Sequence, residues 1–305
     1  LQTKHVYSGE LEVATFAGKN LRELMDFVLA HVGDADYLVG WIDCFAAGDA
    51  LGRGQIHHGR YLREDEDHDA EETLTVAHQE LSPMVFGVVP KSELWRATRL
   101  LNHDAGMRFI NGVRYWQGRL EGVLPPKRWT HVEFSFLLDS VPNWKWSYGR
   151  RPGDGLIQFQ PFVPKESAHA VFAEILRRSQ ACGFVPYLGV LKRHRPDPFW
   201  LTHAVDGWSF ALDYKVTPAT RAALYAFCRE LAELVLAAGG RFYFAKDSIL
   251  PAGALERMLP RERLEAFFAL KTALDPAGLL ESDLWRRVAP ARRGHHAVDD
   301  TAQLA

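Results

Sequence analysis

Between residues 156 and 245 the hydrophobic pattern switches repeatedly between a period of two and a period of 3.6, and the order of the switches leaves few folds open. Residues 156–163 alternate as a strand. Residues 167–182 put Ala170, Val171, Ile175 and Leu176 on one helical face, and Gly183 closes the helix. Residues 184–192 and 208–216 read as strands on either side of a charged, proline-rich loop. Thr217-Pro218 then starts a helix that reaches Ala238, with proline at the first helical position, and residues 241–245 form a last strand. The order β-α-β-β-α-β predicts an α+β fold: a ferredoxin-like antiparallel sheet with both helices on one face.

That topology sorts side chains. Gln158 and Gln160 are two apart on a strand and share a face, opposite Ile157 and Phe159. On the next long strand Ser209, Ala211 and Asp213 oppose Trp208, Phe210, Leu212 and Tyr214. With helices on the apolar face, Gln158, Gln160 and Asp213 are expected to look outward. Such a face either binds a polyhydroxylated ligand or is simply wet, the commoner state of an antiparallel sheet with one covered face.

The last strand runs from Gly239-Gly240 straight into Lys246-Asp247-Ser248 with no turn residue between them. Lys246 therefore stands near a strand's carboxyl end, where mixed α/β proteins tend to bind ligands. Its plainer role is a surface ion pair with Asp247 or another carboxylate. Upstream, Phe134, Phe136, Trp144, Trp146 and Tyr148 fall close together with Asp139, Asn143 and Lys145 among them. Aromatics this dense either fill a core or wall a pocket.

The first half is less regular. Residues 6–16 read as a strand, and Asn20-Leu21-Arg22-Glu23 has capping-box spacing, with Glu23 able to reach the Asn20 amide. A helix follows on Leu21, Leu24, Met25, Val28, Leu29 and Val32, with Gly33 as its expected C-terminal cap; strands follow at 37–45 and 54–62. Residues 63–72 are acidic and read as an exposed loop. Across 83–130, Pro83, Pro90, Pro125 and Pro126 break any long element, leaving short helices or irregular segments near 93–101 and 114–120. Near the end, a helix over 261–270 precedes Asp275-Pro276, Ser282-Asp283 can cap a short helix, and residues 289–305 read as a disordered tail.

Composition excludes several classes. A formal net charge of -2 leaves no basic footprint for nucleic acid. No apolar run approaches the roughly 20 residues that cross a bilayer, and no secretory leader opens the chain. Cys44, Cys182 and Cys228 are far apart and set among apolar residues, so they read as buried, reduced thiols of a cytoplasmic protein. His57-His58 and His295-His296 lack partners at ligand spacing, so no metal site is assigned. The chain opens on Leu1 just before a strand, which suggests that its natural N-terminus lies further upstream.

Two segments carry a resemblance. Phe242-Tyr243-Phe244-Ala245-Lys246-Asp247-Ser248, followed by Leu274-Asp275-Pro276-Ala277-Gly278-Leu279-Leu280-Glu281-Ser282-Asp283-Leu284-Trp285-Arg286-Arg287, resembles the C-terminal signature of FAD-dependent oxidoreductases of the vanillyl-alcohol-oxidase type. The nearest branch holds decaprenylphosphoryl-ribose oxidase and Δ24-sterol reductase relatives. Residues 37–44 with Gly52-Arg53-Gly54, the aromatic stretch 134–148, residues 156–160 and Gly207-Trp208 extend it to about residue 288. The resemblance implies FAD as cofactor and hydride transfer between a substrate carbon, typically a secondary alcohol of a sugar-like or polyol compound, and flavin N5. It implies that residues 1–18 end an FAD-binding domain, 19–240 form a substrate or cap domain, and 241–288 return to the FAD-binding domain. The glycine-rich pyrophosphate loop would then lie in an N-terminal domain outside this chain, and the chain alone would bind FAD weakly and be inactive.

Residue by residue, the resemblance places Tyr243 and Lys246 against the flavin, with Lys246 as the catalytic residue in an electrostatic and positioning role. Gln158, Gln160 and Asp213 would bind substrate, with Trp144 and Phe136 walling the site. Some members have cysteine where this chain has Ala211, and Trp146 replaces the basic residue expected of phosphoribose oxidases, which argues against a phosphorylated sugar. A different reading of the same residues is a stand-alone ferredoxin-like module that binds a ligand or partner without redox activity.

Overall fold

The computed structural model describes residues 4–85, 89–135, 143–149, 151–246 and 248–289. Its first half runs β1 (Glu10–Gly18), α1 (Leu21–His31), β2 (Tyr37–Ile42), β3 (Gly54–Tyr61) and a one-turn α2 (Ala70–Thr73). The short pair β4 (Met84–Val85) and β5 (Val89–Pro90) follows, then α3 (Leu94–Leu101), α4 (Asp104–Glu121), β6 (Lys127–Thr130) and α5 (His131–Ser135). The second half runs β7 (Gly155–Phe159), β8 (Pro161–Pro164), α6 (Lys165–Ala181), β9 (Leu188–His194), β10 (Gly207–Val216), α7 (Arg221–Ala237) and β11 (Arg241–Phe242). Helices α8 (Ala254–Met258), α9 (Arg261–Leu274) and α10 (Asp283–Val288) complete the described chain.

The strands form one sheet in the order β11-β8-β10-β9-β2-β3-β1-β6, with antiparallel neighbours throughout. β7 and β8 are one line broken at Gln160, and both pair with β10 in the same register. In each half the strand formed first lies between the third and the fourth: β6-β1-β3-β2 in one, β11-β8-β10-β9 in the other. The halves meet where β2 pairs with β9, through Gly40↔Leu191, Trp41↔Val190 and Ile42↔Gly189. Glycine is required there, because a Cβ on Gly189 would stand 2.8 Å from Cys44 Sγ and one on Gly40 3.1 Å from the Leu191 carbonyl oxygen. β1 pairs with both β3 and β6 and so lies inside the same sheet.

One face carries the main core. Phe172, Ile175 and Leu176 of α6, Leu224, Leu231 and Val235 of α7, and Leu21 and Leu24 of α1 pack on Ile42, Ile56, Trp208, Phe210 and Leu212. Burying each large apolar side chain stabilises the fold by about 1.5–3 kcal/mol. Tyr214 belongs to the same layer, and its hydroxyl lies 2.9 Å from Ser179 Oγ, so its polar tip is satisfied inside the core. Gly183 and Gly239 take left-handed φ of +76° and +73° just after α6 and α7. Gly33 does not; α1 ends through Val32 in right-handed helical geometry. At the start of α1 the Asn20 side chain accepts from Glu23 N at 3.0 Å, while the Glu23 carboxylate accepts from Lys19 N at 2.9 Å instead of the Asn20 amide.

α4 departs most from the sequence expectation. It is a continuous helix of 18 residues where short pieces were expected. Its periodic apolar residues are largely exposed: Phe109 is 65% and Trp116 66% exposed. The buried side is Gly106, Asn111, Tyr115 and Gly118. A Cβ on Gly118 would come within 2.1 Å of Gln55 Oε1, so the helix lies almost directly on β3. It covers the sheet face opposite α1, above Thr15, Gln55 and His57. Cys44 and Cys228 are buried, but Cys182 is exposed, a correction to the expectation of three buried thiols; it caps α6, where side chains meet solvent. Among the described residues no helix is long and apolar enough to cross a membrane. Residues 290–305 of the expected tail lie outside the described residues.

Candidate functional site

Beyond β11 the chain turns once, through residues 244–246, and this turn carries Lys246 back across the edge of β7 and β8. Gln158, Gln160, Tyr243 and Lys246 line one narrow crevice together with Phe159, Phe242 and Ile249. Lys246 Nζ stands 5.5 Å from the Tyr243 ring centroid, and Tyr243 N donates to the Gln160 carbonyl at 3.4 Å. Pro161 interrupts the strand at Gln160, whose Oε1 is buried without a hydrogen-bond partner among the described residues. An orphaned buried acceptor costs free energy unless a ligand donor meets it.

Asp213 corrects an expectation. It is fully buried, with 0% exposure, and does not look out from the sheet. Gln158 Nε2 donates to its Oδ1 at 2.5 Å, and its carbonyl accepts from Tyr187 N at 2.9 Å. Tyr187 and Tyr148 are themselves buried, with ring centroids 5.9 Å apart, and burial together with the Asp213 charge pushes the Tyr148 phenol well above its usual value. The turn 144–148 lies over this part of the sheet, and the buried Asp213 carboxylate accepts from Gln158 beneath it. Trp144 lines a second, larger cleft and packs edge-on to Tyr148 at 5.8 Å. Phe136, Asp139 and Asp247 lie outside the described residues.

The structure adds residues that the sequence pattern did not single out. The His203 ring meets Tyr243 at 4.8 Å and Phe162 at 4.5 Å, and Phe162 meets His194 at 4.7 Å. His194 Nε2 lies 2.7 Å from Ser209 Oγ. Burial, then the neighbouring His203, Lys192 and Arg193, pull His194 down to about 4. Burial also lowers His203; Asp197 opposes that effect and Arg241 adds to it. Both imidazoles are therefore neutral at pH 7, and the same shifts make them weaker bases than a free histidine. Arg241 fixes the loop that carries His203 by donating to the carbonyls of Thr202 and Ala204 at 3.3 and 3.0 Å. The signal for this row was the pair His194 and His203 flanking a proline-rich loop between two strands, but only the folded loop brings the second histidine onto Tyr243.

The larger cleft, about 1330 Å³, opens between α4 and the sheet face of the first half. Gln55, His57 and Arg114 line it alongside Trp129, Trp144 and Trp146. Among the described residues no group of three or more His, Cys, Asp or Glu side chains is placed to hold a metal ion.

No protein-family profile matches the chain. It is 27% identical over 265 residues to decaprenylphosphoryl-β-D-ribose oxidase of Mycolicibacterium smegmatis, an alignment that takes in 83% of this chain and 51% of that protein. It is 29% identical over 284 residues to an uncharacterized protein in the mprA 5′ region of Streptomyces coelicolor, covering 87% of this chain and 70% of the other. Among solved structures, 4-ethylphenol oxidase from Gulosibacter chungangensis, in its isoeugenol complex, aligns with a TM-score of 0.45 at 14% identity, over 90% of this chain and 53% of that one. The chain thus spans about half the length of the oxidase from M. smegmatis. Over most of its own length, this chain is a homologue of decaprenylphosphoryl-β-D-ribose oxidase.

Proposed function

We propose that this chain is the substrate-facing portion of an FAD-dependent oxidoreductase that oxidises a secondary alcohol of a sugar-like or polyol compound. The observation that carries this reading is the meeting of Gln158, Gln160, Tyr243 and Lys246 in one crevice, in a chain homologous to an oxidase. Residues 19–240 then act as a ferredoxin-like cap with β1 as part of its sheet, 241–288 return to the flavin-binding domain, and that domain's remainder is supplied by a further N-terminal segment or a separate subunit. The residues present fit a flavin: Lys246 is an exposed cation beside the half-buried Tyr243, and Gln160 Oε1 awaits a donor. When bound, FAD supplies the acceptor for the hydride. The three free cysteines favour a reducing, cytoplasmic setting.

The protein's own part is orientation and proton handling. Gln158, braced by Asp213, and Gln160 present amide groups to substrate hydroxyls. Lys246 places positive charge where the substrate oxygen or the reduced cofactor becomes negative. Oxidation of CH–OH to C=O also releases the hydroxyl proton, and neutral His203, in ring contact with Tyr243, is placed to accept it.

The test uses the full-length protein with its flavin. Sugars, alditols and polyprenyl sugars are screened for anaerobic bleaching of the flavin, and Lys246→Ala is compared with the wild type. The variant should retain FAD but lose reduction by substrate. Unchanged reduction would remove Lys246 from the site, and absence of any upstream or partner flavin-binding domain would end the oxidoreductase reading. The 305-residue chain alone should bind FAD weakly.

A further inference from the structure

His203 meets Tyr243 on a loop that is tied on both sides of that one histidine. Thr202, 3% exposed, donates from Oγ1 to Asp197 Oδ2 at 2.6 Å, and the same oxygen accepts from Ala204 N at 2.9 Å. Asp197 Oδ1 also accepts from Phe199 N at 3.0 Å, so one half-buried carboxylate closes the loop from residue 197 to residue 204. Such local side-chain bonds stand in for the ladder that a loop lacks. From outside, Arg241 grips the carbonyls of Thr202 and Ala204, and Arg263 of α9 donates to the Phe199 carbonyl at 3.0 Å. The backbone is thus held immediately before and after His203, and the ring is set on Tyr243 at 4.8 Å.

Charge points the same way. His203 is faced by Asp197 from its own loop, by Arg241 of β11 and Tyr243 just after it, and by His194 of β9 across the Phe162 ring. Lys246 stands beyond Tyr243, 5.5 Å from its ring, and Arg263 acts on Asp197. Burial works against ionisation of Asp197, but the hydrogen bonds from Thr202 and the Phe199 amide outweigh it, so the carboxyl lies below its usual range and is charged at pH 7. Arg241 opposes a positive charge on His203, and Asp197 favours one. An imidazole shielded from water needs such a counter-charge once it is protonated.

We propose that Asp197 is a positioning residue for proton transfer: it fixes His203 against Tyr243 through Thr202, and its negative charge stabilises the imidazolium formed when His203 accepts the hydroxyl proton of the substrate. The inference rests on the reading of this chain as part of an alcohol-oxidising flavoenzyme. As CH–OH becomes C=O, the hydride leaves carbon for the bound flavin and the hydroxyl proton passes to a ring nitrogen of His203. Asp197 stays ionised throughout and takes no proton itself.

Two experiments test it. In the 305-residue chain without flavin, the His203 ring resonances, assigned by their loss in His203→Gln, are titrated by NMR in the wild type, Asp197→Asn and Asp197→Glu. Asparagine can still accept from Phe199 N and donate to Thr202 Oγ1, so the loop is kept while the charge goes, which a cooperative melting curve checks. His203 should titrate at lower pH in Asp197→Asn than in the wild type, and Asp197→Glu should restore the wild-type position. A titration unmoved by Asp197→Asn would overturn the proposal whatever the enzyme does. In the full-length flavoprotein, the compound that bleaches the flavin fastest in the screen above should reduce Asp197→Asn about tenfold to a hundredfold more slowly at saturation, with KM within about twofold of wild type. The acidic limb of that rate should move to lower pH, because His203 must be neutral to take the proton. A slower variant whose acidic limb does not move would mean a purely structural role and would overturn the proposal as well. A wild type that no compound reduces would end the flavoenzyme reading and the proton-transfer role with it, a failure kept apart from the first because the titration needs neither flavin nor substrate.

Discussion

His57 makes the stability of this protein depend on pH in a way that one substitution can isolate. Burial, helped by Arg114 and opposed by Glu121, holds the folded imidazole at about 4, against 6.5 for the free side chain. Below pH 6.5 the unfolded chain takes up a proton that the folded chain refuses, so acid favours unfolding. The stabilisation is complete above pH 6.5 and is lost as the pH falls toward 4. The full gap is worth about 3 kcal/mol, of which about 2 kcal/mol is already lost at pH 5. The assay is urea unfolding of the wild type and His57→Gln at pH 8, 6 and 5. Glutamine is neutral throughout and can still reach Thr15 Oγ1, which lies 3.3 Å from His57 Nδ1. His131, His169, His194 and His203 are also lowered and affect both proteins alike, so the difference between the proteins reports His57 alone. The stability advantage of wild type over variant should shrink by about 2 kcal/mol between pH 8 and pH 5. An advantage constant to within about 0.5 kcal/mol would refute the claim that this imidazole is buried and neutral.

Three further outcomes are expected. Gly207→Ala should destabilise by about 1–3 kcal/mol in urea, since its Cβ would stand 2.0 Å from the Val163 carbonyl oxygen, whereas Gly155→Ala meets nothing within 4 Å and should be near neutral; equal losses would show that β8 and β10 are not packed this tightly. Gln158→Leu strips a donor from the buried Asp213 carboxylate and should cost about 1.5–3 kcal/mol, and a melting curve matching wild type would show that the contact carries no weight. Asp275 accepts from Lys271 Nζ, Leu279 N and Leu280 N at 2.8, 2.7 and 2.9 Å, which hold its carboxyl at about 2. Asp275→Asn should therefore lower the melting temperature at pH 7 and lose that deficit as the pH falls toward 2; a deficit unchanged by acid would rule out charge as its cause.

The second half was legible because its apolar residues face inward. Phe172, Ile175 and Leu176 recur at helical spacing and are fully buried, and Trp208, Phe210, Leu212 and Tyr214 alternate onto the same core. α4 was missed for the opposite reason. Phe109, Val113, Trp116 and Leu120 face solvent, and glycines that ordinarily argue against a helix let it lie on β3. Strand alternation put Gln158 and Gln160 on one face and a strand end marked Lys246, whereas Tyr243 and the grouping of the four came only from the family resemblance. Asp213 was read as outward because its strand alternates correctly, but the turn that buries it comes from residues 144–148, far away in sequence. His203 showed only as a histidine flanking a proline-rich loop, and its meaning comes from Tyr243 on another element.

The three-rung seam between β2 and β9 limits how this protein can change over evolutionary time. It couples the crevice at Lys246 to the cleft at Arg114 through a single sheet, and a side chain at Gly189 would press on Cys44, Phe210 and Ile42 at once. Sequence drift on either half is therefore free to remodel its own cavity. A side chain at Gly40 or Gly189 disturbs the seam that joins the two halves, so these two positions should tolerate few replacements although neither lines a cavity.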